Sequence, residues 1–250
     1  MSWAPAYRRA RRPLPGRLPE RAARPYGHQV LQRLPLFPLG LVLFPGLVLP
    51  LHVFEERYRA LIRDLMELPA AEQRFGVVAI RQGREVGEDG VTALYDVGCV
   101  AQLRHVEPHP DGRFDIVTLG VQRFSLATLE DNRPYLSAQV ELLPDEPGHD
   151  AQRLSAAVRV AFTDYVAALG KAGGDRIEVS DLPEDPQVLS YLVAATMVLD
   201  IDDRQRLLAG IDGASRLLAE VSLLRRETVL LSTLAAAPAP DLASGPVSLN

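Results

Sequence analysis

Apolar and polar positions alternate over short stretches in the first part of the chain, a pattern typical of β-strands. Between residue 33 and about residue 147, turn-forming pairs such as Pro45-Gly46 and Asp111-Gly112 separate these stretches. The predicted extended segments are residues 34–37, 47–50, 75–81, 98–106, 114–121, 123–129 and 135–143. Several closely spaced strands with one early helix predict a small, partly open β-barrel.

Helical spacing of apolar residues occurs once early and dominates the second half of the chain. The early helix is predicted from Phe54 to Leu68, where Pro69 ends it. After the linker at 144–150, the sequence predicts a helix that ends at Gly170, a second helix that begins after the capping residue Asp185, and a short third helix capped by Asp202. A long fourth helix is predicted from Ala214 to about Leu234. Its predicted inward-facing residues are Leu217, Leu218, Val221, Leu224, Thr228 and Leu231. The sequence therefore predicts an α+β fold, with a barrel subdomain at 33–147, a helical subdomain at 148–234, and disordered tails at 1–32 and 235–250.

The near absence of lysine restricts the chemistry more than any other feature of the composition. Of the 27 basic residues only Lys171 is lysine, and it is followed by Ala172 in a glycine-rich segment. A P-loop needs a lysine followed by Ser or Thr at the start of a helix, and a serine–lysine dyad needs a desolvated lysine. The sequence therefore predicts neither ATPase nor serine–lysine protease chemistry, and we expect no cofactor.

The number of cysteines and the length of the apolar stretches indicate the cellular compartment. Cys99 is the single cysteine, so no internal disulfide forms, and its place in an apolar strand predicts buried packing rather than reactivity. The longest apolar stretch, residues 34–53, is interrupted by four prolines and two glycines, so we expect no membrane span there. These features favour a cytoplasmic protein with no membrane partner.

Charge is distributed unevenly along the chain. Residues 1–32 contain seven arginines and one acid, Glu20, which gives +6, whereas the whole chain carries −5 and the remainder therefore −11. A basic arm could contact nucleic acid or an acidic partner. A disordered Pro/Arg-rich extension is the simpler interpretation, and the acidic body disfavours nucleic acid as a partner.

Two groups of histidines and carboxylates are candidate metal ligands. His52 and Glu55 lie close together in the sequence but lack further ligands at a familiar spacing. His105, His109 and Asp111 follow a predicted strand without a motif that joins them. No metal site is predicted, and an unrecognised small-molecule enzyme that uses Glu55 or His52 is left as a remote alternative.

A dense series of Pro, Phe and Gly motifs resembles the opening of the Lon protease N-terminal domain family. The matching segments are Leu36-Phe37-Pro38-Leu39, Leu43-Phe44-Pro45-Gly46, Leu49-Pro50-Leu51, Phe54-Glu55-Glu56-Arg57-Tyr58, Gly76-Val77-Val78, Asp96-Val97-Gly98-Cys99-Val100-Ala101, Gly120-Val121-Gln122-Arg123-Phe124 and Pro134-Tyr135-Leu136-Ser137-Ala138. Asp185-Pro186, Leu189-Ser190-Tyr191 and Leu199-Asp200 are similar to the helical part that follows in that family. The resemblance covers residues 33 to 234 and includes neither the ATPase module nor the Ser-Lys peptidase domain of the family.

The resemblance implies a pseudouridine-synthase-associated-like, partly open β-barrel followed by a C-terminal helical bundle. It also implies a non-catalytic module that recognises unfolded or hydrophobic protein segments, as an adaptor or chaperone-like factor, and leaves open whether a separate protease or chaperone takes part. We place peptide binding near the junction of barrel and helices, at Phe44, Leu47, Arg57, Tyr58 and Tyr191. An RNA-binding module that uses the basic arm remains the alternative.

Overall fold

A computed structural model describes residues 31–83, 91–130, 134–173 and 181–236 of the chain. The strands are β1 (Gln32–Leu39), β2 (Val48–Val53), β3 (Arg74–Gly83), β4 (Val91–Leu94), β5 (Val97–Pro108), β6 (Phe114–Glu130) and β7 (Ser137–Leu142). The helices are α1 (Glu56–Met66), α2 (Ala151–Gly173), α3 (Pro186–Thr196), α4 (Ile201–Leu208) and α5 (Gly213–Ala236), with a short 3-10 turn at Ala70–Glu72. Residues 1–30 and 237–250 of the predicted tails lie outside the described residues.

The strands form a mostly antiparallel sheet that closes on itself only in part. Its order is β1-β7-β6-β5-β3-β4, and a second pairing of β1 with β3 brings the two sides together. Residues 32–35 of β1 pair with β7, whereas residues 36–39 pair in parallel with β3. Because the short strand β1 pairs with β7 over one half and with β3 over the other half, the sheet is not a regular barrel. The predicted partly open architecture is confirmed, followed by a bundle of helices.

β6 is longer than the sequence suggested and runs past two neighbours. Segments 114–121 and 123–129 were predicted as separate strands, but they form one strand of 17 residues. β2 lies beside the first half of β6, β7 lies beside the second half, and the β5–β6 register shifts near Gly120. A β-bulge, which bends a strand without ending it, therefore replaces the predicted break.

The early helix α1 closes one end of the sheet. Its apolar face buries Tyr58, Leu61, Ile62 and Leu65 against a cluster that includes Phe37 and Phe75. Arg59 extends from this helix to the β5–β6 turn, where its Nε donates to the carbonyl of Gly112 at 2.6 Å. The predicted helix is confirmed with slightly shorter ends, and it fixes the position of the hairpin turn that it contacts.

The helical part differs from the prediction at three residues. Gly170 does not end α2, which continues to Gly173, and this glycine is buried. Asp200 rather than Asp202 caps α4, since the Asp200 side chain accepts from the backbone N–H of Asp203 at 2.7 Å. Leu218 is 59% exposed rather than inward-facing. The predicted cap of α3 is confirmed, with Asp185 accepting from the N–H groups of Gln187 and Val188.

One hydrophobic core crosses the boundary between the sheet and the helices. Phe44 and Val97 from the β part pack in the same cluster as Phe162 and Leu217 from the helices. The remaining two clusters lie within the β part, one below α1 and one between β1, β6 and β7. Burial of shared apolar surface therefore holds the helices against the sheet.

Candidate functional site

Two of the predicted peptide-binding residues are buried at the junction between the sheet and the helices, beside a network of polar side chains. Phe44 and Tyr191 have ring centroids 6.3 Å apart and exposures of 0% and 5%. The Arg216 guanidinium lies 3.9 Å from the Tyr191 ring centroid, and the Tyr191 hydroxyl donates to Asp145. Burial raises the pKa of Tyr191 above its ordinary value, although the nearby Arg216 charge opposes that change. This arrangement supports the fold and gives Phe44 and Tyr191 little exposed surface.

Arg123 connects the sheet to the helices from within this network. Its NH1 donates to the carbonyls of Leu208 at 3.0 Å and Gly210 at 2.5 Å, and its NH2 donates to that of Pro144 at 2.9 Å. The residue is 2% exposed. A cation buried at this depth is tolerated because backbone carbonyls replace its water. We refer to Arg123, Asp145, Tyr191, Arg216 and Glu220 as the junction cluster.

Glu220 is the buried carboxyl group of the junction cluster. It is 0% exposed, and neither of its oxygens has a hydrogen-bond partner within the described part of the chain. Burial raises its pKa well above the ordinary value, with Arg216 acting in the opposite direction. Glu220 is a helical core residue and does not line the surface cleft described next, so its perturbed pKa gives no support to the enzyme alternative.

A cleft of about 470 Å³ lies between α1 and strands β1 and β7. It is lined by Arg33, Pro35, Asp64, Leu65, Glu67, Leu68, Tyr135 and Ser137. The Tyr135 hydroxyl donates to Asp64 at 2.5 Å, and Arg33 pairs with Glu130 at 2.8 Å. Three of its charged or polar side chains, those of Arg33, Asp64 and Tyr135, are therefore engaged in contacts within the fold.

The other three predicted peptide-binding residues lie on different parts of the surface and core. Tyr58 is buried and stacks on Phe37 at 4.0 Å between ring centroids. Arg57 lies 4.6 Å above the Tyr58 ring and pairs with Glu55 at 2.9 Å. Leu47 is half-buried directly before β2. The structure therefore does not bring the five residues into one surface, and their role in peptide binding stays a prediction.

Cys99 is buried in β5, as its apolar surroundings predicted. Burial raises the pKa of the thiol to about 12. The thiolate is therefore rare near neutral pH, which disfavours a role as a nucleophile.

An exposed apolar surface lies on β2 and the strand beside it. The register pairs Val48 with Leu119 and Pro50 with Val117, which places these side chains together on the outer face. Val48 is 64% exposed, Phe54 at the end of the strand 49%, and Val121 on β6 41%. We define the β2 surface as Val48, Pro50, Phe54, Val117, Leu119 and Val121. Exposed apolar patches of this kind are characteristic of binding sites.

β2 is also an edge strand. Among the described strands it pairs only with β6. The carbonyl of Leu47 accepts from the Gly120 N–H at 2.8 Å and that of Leu49 accepts from the Thr118 hydroxyl at 3.0 Å, so the odd-numbered residues face β6. The backbone groups of Val48, Pro50 and His52 consequently point away from β6, toward the open edge. The sequence signal for this site is the alternation of outward-facing and inward-facing residues over 48–54. Pro50 makes this alternation hard to recognise, because proline is uncommon within strands.

A polar cluster occupies the far end of the same strand pair. Asp115 lies opposite His52 in the register, and its Oδ1 is 2.6 Å from His52 Nδ1. Its Oδ2 is 2.6 Å from His109 Nε2. Hydrogen bonds from the two histidines lower the pKa of the Asp115 carboxyl. We call these three residues the histidine cluster. No sequence motif joins His52 to His109, and Asp115 was not among the predicted ligand candidates.

Comparison with known proteins connects this fold to one family. A family model described as the ATP-dependent protease La (LON) substrate-binding domain matches residues 33–226. The chain is 34% identical over 204 residues to a Lon protease 2 of Herpetosiphon aurantiacus and 30% identical over 202 residues to the Lon protease of Escherichia coli K12. These alignments cover 80% and 79% of this chain but 23% and 25% of those relatives, so the chain spans about a quarter of their length.

Solved structures show the same fold. A Lon N-terminal domain protein from Xanthomonas campestris aligns with a TM-score of 0.53 at 23% identity, over 76% of this chain and 98% of that one. The N-terminal domain of a Mycobacterium avium complex Lon protease aligns with a TM-score of 0.56 at 16% identity, over 78% of this chain and 98% of that one. In the described part of the chain, no helix is both long and apolar enough to cross a membrane.

Proposed function

Because the chain belongs to the family of the ATP-dependent protease La (LON) substrate-binding domain, we propose that it is a non-catalytic recognition module that binds extended, apolar segments of unfolded proteins along β2. The matched region is the substrate-binding domain of the family, and it includes no protease or ATPase domain. A bound segment would be passed to a separate protease or chaperone. The cytoplasmic location remains a prediction from the single cysteine.

The observation that carries this proposal is the coincidence of an open strand edge with an exposed apolar face. An unfolded segment can add to a strand edge through its backbone, which requires no particular sequence. The side chains of the β2 surface then offer apolar contacts, and the free energy of such contacts is about 25 cal/mol per Å² removed from water. Backbone pairing with apolar contacts suits a binder that accepts many unfolded proteins.

Pro50 limits what this edge can do. Proline has no N–H group, so one donor is absent from the middle of the open edge. Natural edge strands use proline to prevent uncontrolled pairing with copies of themselves. We expect a short, weak register of backbone bonds, in which the affinity comes mainly from Val48, Phe54 and Val121.

The predicted residues take distinct roles in this proposal. Leu47 directly precedes β2 and Arg57 follows Phe54 by three residues, and we propose that both contact a bound segment. Phe44, Tyr58 and Tyr191 are buried, so we propose that they stabilise the fold rather than contact the segment. Their replacement would therefore change stability before it changed affinity.

Fluorescence anisotropy of the full chain tests the proposal. The probe is a fluorescein-labelled, reduced and alkylated polypeptide that cannot fold, titrated beside a labelled RNA of similar length. We compare Val48→Lys with Val160→Lys, because Val48 on β2 and Val160 on α2 are 64% and 65% exposed. The Val48 variant should bind the polypeptide at least about tenfold more weakly, equivalent to about 1.4 kcal/mol, and the Val160 variant should match the wild type.

Two outcomes would contradict the proposal. Equal affinities in both variants and the wild type would remove β2 from the binding site. Saturable RNA binding without polypeptide binding would instead support a nucleic-acid role for the basic arm, which lies outside the described residues.

A further inference from the structure

The histidine cluster brings His52 of β2 together with His109 and Asp115, which lie six residues apart at the β5–β6 turn. His52 belongs to β2, Asp115 to β6, and His109 follows β5 directly. One ligand atom from each residue lies within 4.8 Å of the other two. The two imidazole rings have centroids 6.0 Å apart and meet edge to face. Two imidazole nitrogens and a carboxylate oxygen therefore face a common point at the surface.

The fold holds the backbones of these residues in fixed positions. The β2–β6 register places His52 directly opposite Asp115. The His109 backbone N–H donates to the carbonyl of Arg113, and the His109 carbonyl accepts from the Gly112 N–H, both at 2.9 Å. Arg59 of α1 binds the same turn through the carbonyls of Gly112 and Asp111. Only the side chains need to adjust in order to accept a ligand.

We propose that His52, His109 and Asp115 form a binding site for a divalent transition-metal cation of the Zn²⁺ type. Zn²⁺ takes histidine nitrogens at about 2.0–2.1 Å and carboxylate oxygens at similar distances, in tetrahedral geometry. Neighbouring ligand atoms are then about 3.3 Å apart, which follows from those bond lengths. The present nitrogen–oxygen separations of 2.6 Å would widen by less than an ångström.

The ligand types favour Zn²⁺ over Mg²⁺ or Ca²⁺. Two imidazoles and one carboxylate suit borderline cations, whereas hard cations prefer oxygen alone. The side chains of His52, His109 and Asp115 are 45%, 31% and 48% exposed, so they can rotate at little cost. Three protein ligands leave a fourth position for water or for a group of a bound protein.

Arg113 distinguishes a metal site from a cluster that only forms hydrogen bonds. Its NH1 lies 3.3 Å from His52 Nε2, and its Nε pairs with Asp111 at 2.7 Å. A cation bound to Nδ1 of neutral His52 requires a proton on Nε2, so the ring can no longer accept from Arg113. The arginine charge also repels a second cation. Arg113→Ala should therefore bind Zn²⁺ more tightly, although it removes a contact of the metal-free cluster.

Binding of the cation would join β2 to the β5–β6 turn. His52 and Asp115 already lie opposite each other in the β2–β6 register, so the added link is between His52 and His109 of the turn. A ligand that binds only the folded chain stabilises it according to its concentration relative to the dissociation constant. We therefore expect Zn²⁺ to raise the melting temperature, with the edge strand held more firmly at the end of the β2 surface.

Isothermal titration calorimetry of the full chain without an affinity tag, at pH 7.5, tests the site. The titrant is Zn²⁺ alone, and the variants are His109→Ala and Asp115→Asn. His105→Ala is the matched control, because His105 is an exposed histidine on β5 outside the cluster. We expect one saturable site in the wild type and in His105→Ala, and at least about a tenfold loss of affinity in the other two.

A spectroscopic measurement keeps the test independent of stability. Co²⁺ substituted for Zn²⁺ should give visible absorption of a low-symmetry site with imidazole ligands, and His109→Ala should abolish it. Absence of a saturable site in the wild type would overturn the proposal. So would wild-type affinity in both His109→Ala and Asp115→Asn, since the histidines outside the cluster would then account for the binding.

Discussion

The junction cluster and the histidine cluster are built from similar charged contacts but differ in burial. Arg123, Arg216 and Glu220 of the junction cluster are at most 2% exposed, whereas the His52 and Asp115 side chains are nearly half exposed. Burial makes each polar group dependent on its partners, because water cannot replace a lost one. Exposure leaves the histidine cluster free to exchange one partner for another. The first region therefore determines stability, and the second is suited to bind a ligand.

The largest effect is expected at Arg123. Arg123→Met retains the length of the side chain but leaves the carbonyls of Leu208, Gly210 and Pro144 without their donor. Loss of one partner from a buried ionic network costs about 3–5 kcal/mol, so the urea midpoint should fall sharply. Arg104→Met, an exposed arginine on β5, is the control and should be close to wild type. Equal midpoints for the two variants would contradict the structural role of the junction cluster.

A pH-dependent effect is expected at Glu220. Burial raises its folded-state pKa well above the ordinary value of 4.5, so as the pH rises past 4.5 the unfolded chain releases this proton before the folded chain does. The stability of the wild type should therefore decline above about pH 4.5, by up to about 1.4 kcal/mol per pH unit until the folded-state pKa is reached. Glu220→Gln removes this dependence. It should raise the urea midpoint at pH 7.5 and leave it unchanged at pH 4.

The opposite result at Glu220 would also be informative. A variant less stable than the wild type at pH 7.5 would mean that the carboxylate is charged and paired with Arg216. The junction cluster would then be a buried ion pair rather than a protonated acid beside a cation.

The smallest effect is expected in the histidine cluster without metal. Asp115→Asn removes the charged partner of His52 and His109, but exposed ion pairs contribute little to stability. The urea midpoint in the presence of a chelator should stay close to that of the wild type. Thermal melts with and without Zn²⁺ should diverge between the two proteins, because only the wild type retains the site. A large destabilisation by Asp115→Asn in chelator would remove the distinction between the two clusters.

Much of the fold could be predicted from local patterns. The apolar stripe of α1 and the Asp185 cap of α3 are local signals, and each formed the predicted element. The predictions at Gly170, Asp202 and Leu218 were wrong because a local preference competed with packing. Gly170 is a buried residue of α2, and Asp202 instead accepts from the Tyr95 hydroxyl.

The candidate sites depended on pairing that no local pattern contains. The sequence showed two histidines without a third ligand, because the β2–β6 register places Asp115 beside His52 and the β5–β6 hairpin places it beside His109. The sequence also suggested aromatic residues for peptide binding, because the sequence alone does not tell whether an aromatic side chain is buried in the core or exposed at the surface. Tertiary contacts bury these side chains: Tyr58 stacks on Phe37, and Tyr191 contacts both Phe44 and Arg216.

The sequence by itself determined the family, the α+β order of elements, most of the helices and the buried state of Cys99, because these follow from short-range periodicity and motif order. The tertiary structure alone decided that β6 is one bent strand, that β2 is an open edge with an apolar face, and that His52, His109 and Asp115 meet. Such features arise from contacts between residues far apart in the chain. Their free energy depends on the folded arrangement, and no local stretch of sequence specifies it.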